Sequence, residues 1–191
     1  MDILEDGKGS GYKAEVDSDN RLSVMSVGAS VASSEALSRG GAFVLPSGFL
    51  SLTTTGSFNG IFYIKNTSPT KNLFIGKIRT CGDTAGSVQV KLLRNPTAGT
   101  LISDANDATK LTSNFGRNDI FEGDAYVASS DGKTVTDGAD YSQYIQKTAG
   151  HSIQDYEGAI VLPNGSSIAM VAKPTVAMTF CTELQCWFRE V

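Results

Sequence analysis

Histidine occurs once in the 191 residues, at His151, tryptophan once, at Trp187, and cysteine three times. A single histidine rules out metal sites built on several imidazoles and leaves only one candidate base for a Ser/His/Asp triad. No G-x-S-x-G elbow accompanies it, and "TAGHSIQD" around it reads as a polar surface loop. Charged residues make up only 19% of the chain, Lys and Arg form no cluster, and the net charge is −4. Nucleic-acid binding, which needs a basic face against phosphate, is therefore not expected. No apolar run approaches the length of a membrane span, and no membrane association is expected. The start, Met1-Asp2-Ile3-Leu4-Glu5-Asp6, is acidic and lacks an apolar core, so no signal peptide is expected and folding in a cytoplasm is. In that reducing setting Cys81, Cys181 and Cys186 read as three free thiols acting as small hydrophobes. On one strand, the odd spacing of Cys181 and Cys186 sends them to opposite faces.

The remaining chemical motifs fail on spacing. Asp17-Ser18-Asp19-Asn20 begins like a calcium loop, but Leu22 stands where glycine is required and Gly28 where glutamate is. Gly7-Lys8-Gly9-Ser10-Gly11 has neither the spacing nor the preceding strand of a dinucleotide loop. The acid pairs Asp104/Asp107 and Asp137/Asp140 lie where aspartate is a common turn former. Asn66-Thr67-Ser68 and Asn164-Gly165-Ser166 match the glycosylation sequon, which carries weight only in a secreted chain. No catalytic, cofactor-binding or metal-ligating residue is expected.

What the chain has in abundance is glycine, 20 residues, with many Ser, Thr, Asn and Asp, a composition suited to short strands and tight turns. Residues 1–41 have little to anchor a core and read as an N-terminal arm or peripheral ribbon, with one hairpin of Tyr12–Val16 and Arg21–Met25. From residue 42 to 191 short apolar segments recur: Ala42–Leu45, Phe49–Thr55, Ile61–Asn66, Leu73–Cys81, Ser87–Arg94, Thr100–Ser103, Ala125–Val127, Ala159–Leu162, Ser166–Ala172 and Val176–Glu190. Asp140–Lys147 alone reads as a helical turn. The last segment alternates Met178, Phe180, Thr182, Leu184, Cys186 and Phe188 with Thr179, Cys181, Glu183, Gln185, Trp187 and Arg189. That period of two predicts one strand crossing a whole sheet. "VLPSGF" at Val44–Phe49 and "VLPNGS" at Val161–Ser166 each predict a type I turn, with Pro at the second position and Gly at the fourth. Strands meeting from early and late in the chain give an all-β fold, an antiparallel β-sandwich of jelly-roll type.

Trp187 falls by parity on the polar face, as an interface anchor, a sugar platform or a ring partly covered by a loop would. Ile61-Phe62-Tyr63-Ile64 is apolar on both faces, as a central strand beside an interface would be. Tyr12, Tyr63, Trp187 and Arg189 are the candidate interface residues.

"DGKGSGYKAEVDSDNRLSV", "LLRNPTAGTLISDAND" followed by "NFGRND", "DAYVASSDGKTVTDG" and "VLPNGSSIAMVAKP" together resemble a family of tailed-bacteriophage virion proteins, the head-decoration or cement proteins of jelly-roll type. The resemblance covers most of the chain and rests on turn and strand sequences. It implies a non-enzymatic structural protein on the capsid exterior, assembled in the host cytoplasm, that joins neighbouring capsomers and stabilises the expanded head. The implied partners are the major capsid protein and the chain itself, as a homotrimer. The alternative is the receptor- or glycan-binding head of a fibre or tail appendage, with Trp187 and the Asn-, Asp- and Thr-rich loops as the binding surface.

Overall fold

In the computed structural model of the chain, residues 3–5, 13–15, 42–53, 55–103, 112–113, 120–147 and 150–190 are described. The chain divides into two units, Met1–Val31 and Ala32–Val191. In the first, β1 (Ile3–Glu5) pairs antiparallel with β2 (Lys13–Glu15). Within the segment expected at Tyr12–Val16, Lys13–Glu15 is a strand and pairs with Ile3–Glu5; Tyr12, Val16 and Arg21–Met25, the other half of the expected hairpin, lie outside the described residues. So do residues 32–41, on which the expected boundary at residue 41 depends.

The second unit is built around its last strand. Met178–Glu190 forms β12, whose even positions from Met178 to Phe188 are buried while Thr179, Cys181, Glu183 and Gln185 are half-buried, as the period of two predicts. It lies between β3 (Ala42–Leu52) and β5 (Lys71–Gly82). β10 (Gly150–Leu162) and the two-residue β7 (Thr112–Ser113) flank them, giving the order β10-β5-β12-β3-β7. The opposing sheet takes the order β8-β4-β11-β6-β9, from β4 (Asn59–Asn66), β6 (Ser87–Arg94), β8 (Gly123–Val127), β9 (Ala139–Lys147) and β11 (Ser167–Pro174). Every pairing is antiparallel. The partners nest: β3 with β12, β4 with β11, β5 with β10 and β6 with β9. Wound in this way, an all-β chain makes a two-sheet jelly roll.

The inner faces share one core, in which Leu52, Ile64, Leu73, Ile75, Val90, Leu92, Phe180 and Leu184 are fully buried. Removing each such side chain from water contributes roughly 1.5–3 kcal/mol. Phe43, Phe121 and Phe188 close one part of it with ring centroids 5.1–6.0 Å apart. One polar contact crosses the interior: the Thr80 hydroxyl donates to Gln146 Oε1, which joins the two sheets.

Two element assignments are corrected. Asp140–Lys147 is not a helical turn but most of β9; Tyr141, Tyr144 and Ile145 imitate helical spacing, while Ser142, Tyr144 and Gln146 alternate inward. Thr100–Ser103 is not a strand but a single helical turn, α1, whose Leu101 is fully buried. Hydrogen bonds run both ways between α1 and Thr134: the Thr100 N–H donates to its Oγ1, the Leu101 N–H to its carbonyl, and the Thr134 N–H to Thr100 Oγ1.

The repeated "VLP-x-G" takes two forms. At Pro163–Ser166 the chain does reverse, the Ser166 N–H donating to the Pro163 carbonyl at 3.0 Å. Pro163 is thus the first residue of the turn, not the second, and Gly165 holds φ +80° at the third, the requirement of a type II turn. At Pro46–Gly48 there is no turn. β3 runs straight through, and Ser47 and Gly48 together face Thr182 where the register shifts, forming a β-bulge with Gly48 at φ +68°.

Candidate functional site

The outer face of the β10-β5-β12-β3 sheet carries a trough of about 550 Å³. Register sets its floor. Phe49, Cys181, Cys81 and His151 form one row across four adjacent strands, since Phe49 pairs with Cys181, Cys181 with Cys81, and Cys81 with His151. Pro46, Glu183, Arg79 and Ile153 form the next row. Phe49 stands 86% exposed at one side and Ile153 49% exposed at the other, so the walls are apolar. The bulge at Ser47–Gly48 lets β3 carry Phe49 here: the Ser47 hydroxyl accepts the Thr182 N–H at 2.8 Å, standing in for a ladder acceptor. Arg79 and Glu183 meet at 3.4 Å and neutralise each other; further along the same face Lys77 and Asp155 meet at 3.0 Å. The Lys77 ammonium holds the Asp155 carboxyl below its ordinary range.

Cys81 and Cys181 are not free thiols. They are direct cross-strand partners with Cα atoms 5.1 Å apart, and the structure joins them in a disulfide. That separation lies inside the range a disulfide spans, about 4.4–6.8 Å. Cys186 remains free, on the opposite face from Cys181 as its odd spacing requires, and burial pushes its thiol well up.

The candidate interface residues do not come together. Tyr63 is 5% exposed on β4, its ring 5.7 Å from that of Tyr126, and burial raises its phenol above the ordinary value. The second apolar face of that strand is covered partly by the chain itself, with Leu101 and Val135 packed against Gly60. Trp187 keeps the parity expected of it, outside the shared core, yet it is 6% exposed. It stacks on Phe74 at 6.1 Å with the rings nearly parallel, and it is closed in by Gly76 and Gly158, where a side chain would strike its ring. Gly158 belongs to the stretch of β10, between Asp155 and Ile160, where the register with β5 shifts. Trp187 is therefore a buried anchor of that irregular stretch, not a surface platform. Arg189 is exposed at the end of β12. Tyr12 lies outside the described residues.

His151 sits on β10, not in a loop. The residues that sequence reasoning missed are Phe49, Cys81, Cys181 and Ile153. Their common signal is a side-chain row, which exists only once the register is known. Among the described residues no group of three or more His, Cys, Asp or Glu side chains is placed to hold a metal ion, and no helix is long and apolar enough to cross a membrane. No protein-family model matches the chain, and no curated protein sequence matches it.

Proposed function

We propose that the chain is a non-enzymatic structural protein of a tailed-phage virion that decorates the capsid exterior, contacts the major capsid protein and itself, and cements neighbouring capsomers of the expanded head. The reading rests on the resemblance of its turn and strand sequences to cement proteins. The structural observation that carries it is the trough: an apolar, internally neutralised depression on the outer face of the sheet offers a contact surface. Exposed Phe49 and Ile153 suit an apolar segment of a partner, because covering such side chains removes them from water without stranding a charge. On this reading assembly takes place in the host cytoplasm and the mature location is the capsid surface.

The test is to mix purified chain with expanded heads and with unexpanded ones, and to locate it on intact particles by cryo-electron microscopy. Binding to expanded heads, with greater resistance of those heads to heat, supports the reading. Label confined to tail tips overturns it. The glycan-binding alternative draws on an exposed Trp187 and on the Asn-, Asp- and Thr-rich loops, and the burial of that ring withdraws the first of these two.

A further inference from the structure

We propose that Cys81 and Cys181 form a thiol–disulfide exchange site, entered through the trough, whose substrate is a low-molecular-weight disulfide of the glutathione class. Three observations carry this. The two sulfurs sit side by side on adjacent strands as direct register partners, so the bond opens and closes without the backbone having to move. Both residues are half-buried and line an open trough, which gives a small thiol or disulfide a way in. Cys186, the third sulfur, is fully enclosed in the core, so no competing partner is within reach of exchange.

The surroundings suit the chemistry. His151 is the direct cross-strand neighbour of Cys81, which gives the proton leaving the thiol a local acceptor. Arg79 lies two residues along the same face, its charge shared with Glu183. The step balances as two exchanges. The Cys81 thiolate attacks one sulfur of the small disulfide and releases one small thiolate, leaving a mixed disulfide at Cys81. The Cys181 thiolate then attacks Cys81 Sγ and releases the second small thiolate. The protein loses two electrons and two protons; the small disulfide takes up the electrons.

Closure staples β5 to β12 across a chain separation of 100 residues. It fixes the floor of the trough between Phe49 and His151. A chain made in a reducing cytoplasm would carry the dithiol, and one released into an oxidising medium the disulfide. Only that order of events depends on the virion reading; the exchange site does not, and its failure would leave the capsid-location test untouched.

The experiment uses the full chain. Dithiothreitol without denaturant is expected to open the bond in the folded protein, so that a maleimide labels Cys81 and Cys181 while Cys186 stays unlabelled. Oxidised glutathione is then expected to close it, removing both labelling sites and raising the melting temperature by about 4–16 °C. The Cys181→Ser variant is expected to trap a single glutathione at Cys81. A bond that resists dithiothreitol until the protein unfolds marks a purely structural disulfide and overturns the proposal. So does a melting temperature equal in the two states, or a folded Cys181→Ser variant that takes up no glutathione. Should that variant not fold, the wild-type cycle alone decides.

Discussion

Val44–Gly48 and Val161–Gly165 carry almost the same five residues, and the chain does opposite things with them. In both, the leucine is buried and the glycine takes a positive φ, +68° at Gly48 and +80° at Gly165. The local sequence thus sets a local conformation, and it sets the same one twice. What differs is the neighbour. Beside Pro46–Gly48, β12 runs past in register, and the Ser47 hydroxyl accepts the Thr182 N–H, so the strand absorbs its extra residue and continues. At Pro163–Gly165 the chain end of β10 meets Asn66. The fully buried Asn66 amide donates to the Leu162 and Lys71 carbonyls at 2.8 Å each, its Oδ1 accepts the Ser68 N–H, and its backbone carbonyl accepts the Gly165 N–H. Pro-x-Gly with a positive φ bends a chain; the partner across from it decides whether the bend becomes a bulge or a reversal.

The largest expected effect comes from removing the clamp on the reversal. Asn66→Ala removes the amide partner of the buried Leu162 carbonyl, of the part-buried Lys71 carbonyl and of the buried Ser68 N–H. It should cost about 3 kcal/mol, seen as a melting temperature lower by about 6–12 °C. Hydrogen exchange should quicken around Leu162–Ser166 and leave Pro46–Phe49 unchanged. Removing the clamp on the bulge should cost less. Ser47→Ala leaves the Thr182 N–H without its acceptor, a loss of about 1–3 kcal/mol by urea unfolding, with faster exchange at Thr182. If exchange quickened equally at both sites in either variant, the two regions would not be independently held.

Gly48→Ala and Gly165→Ala should behave alike, each costing about 1–2 kcal/mol, because an L-residue is disfavoured in the left-handed region. Neither added methyl would meet an atom within 4 Å, so the whole cost is conformational. Unequal losses would show that the neighbour, not the glycine, sets the strain.

A smaller effect depends on pH and touches only the reversal. Glu122 accepts from Lys71 and Ser68, the first more strongly, and its carboxyl titrates below the ordinary 4.5. Because the folded value is the lower one, this stabilisation is complete above about pH 4.5 and is lost as pH falls through the folded value. The pair is partly exposed, with side chains 32% and 37% accessible, so screening limits the contribution to less than about 1 kcal/mol. Glu122→Gln should lower stability by less than about 1 kcal/mol above pH ~4.5, leave it unchanged at the acid end where the carboxyl is already protonated, and so flatten the slope between the two. The bulge, which has no carboxylate among its hydrogen-bond partners, should show no such limb.

The same logic separates what the sequence made legible from what it hid. The spanning strand β12 was readable because its alternation is long enough to outweigh local exceptions. The sandwich followed from it and from the spacing of the turn residues. β9 was not readable, since its exposed Tyr141 and Ile145 blur the period of two at a sheet edge. The Cys81–Cys181 bond needs two strands in register, and two cysteines 100 residues apart offer no periodicity from which to infer that. Trp187 lies on the face its parity predicts; its cover comes from Gly158 on another strand, and parity says nothing about what lies above a face. Sequence patterns carry side-chain direction within a strand well and carry partnership between strands poorly.

The position of β12 between β3 and β5 has a consequence for biosynthesis. Until the ribosome has delivered the chain through Glu190, both of those strands present bare backbone amides and carbonyls along the flank that β12 will fill. A nascent chain halted anywhere before Met178 cannot close this sheet, however well its earlier turns have formed. Closure waits on the latest-made strand.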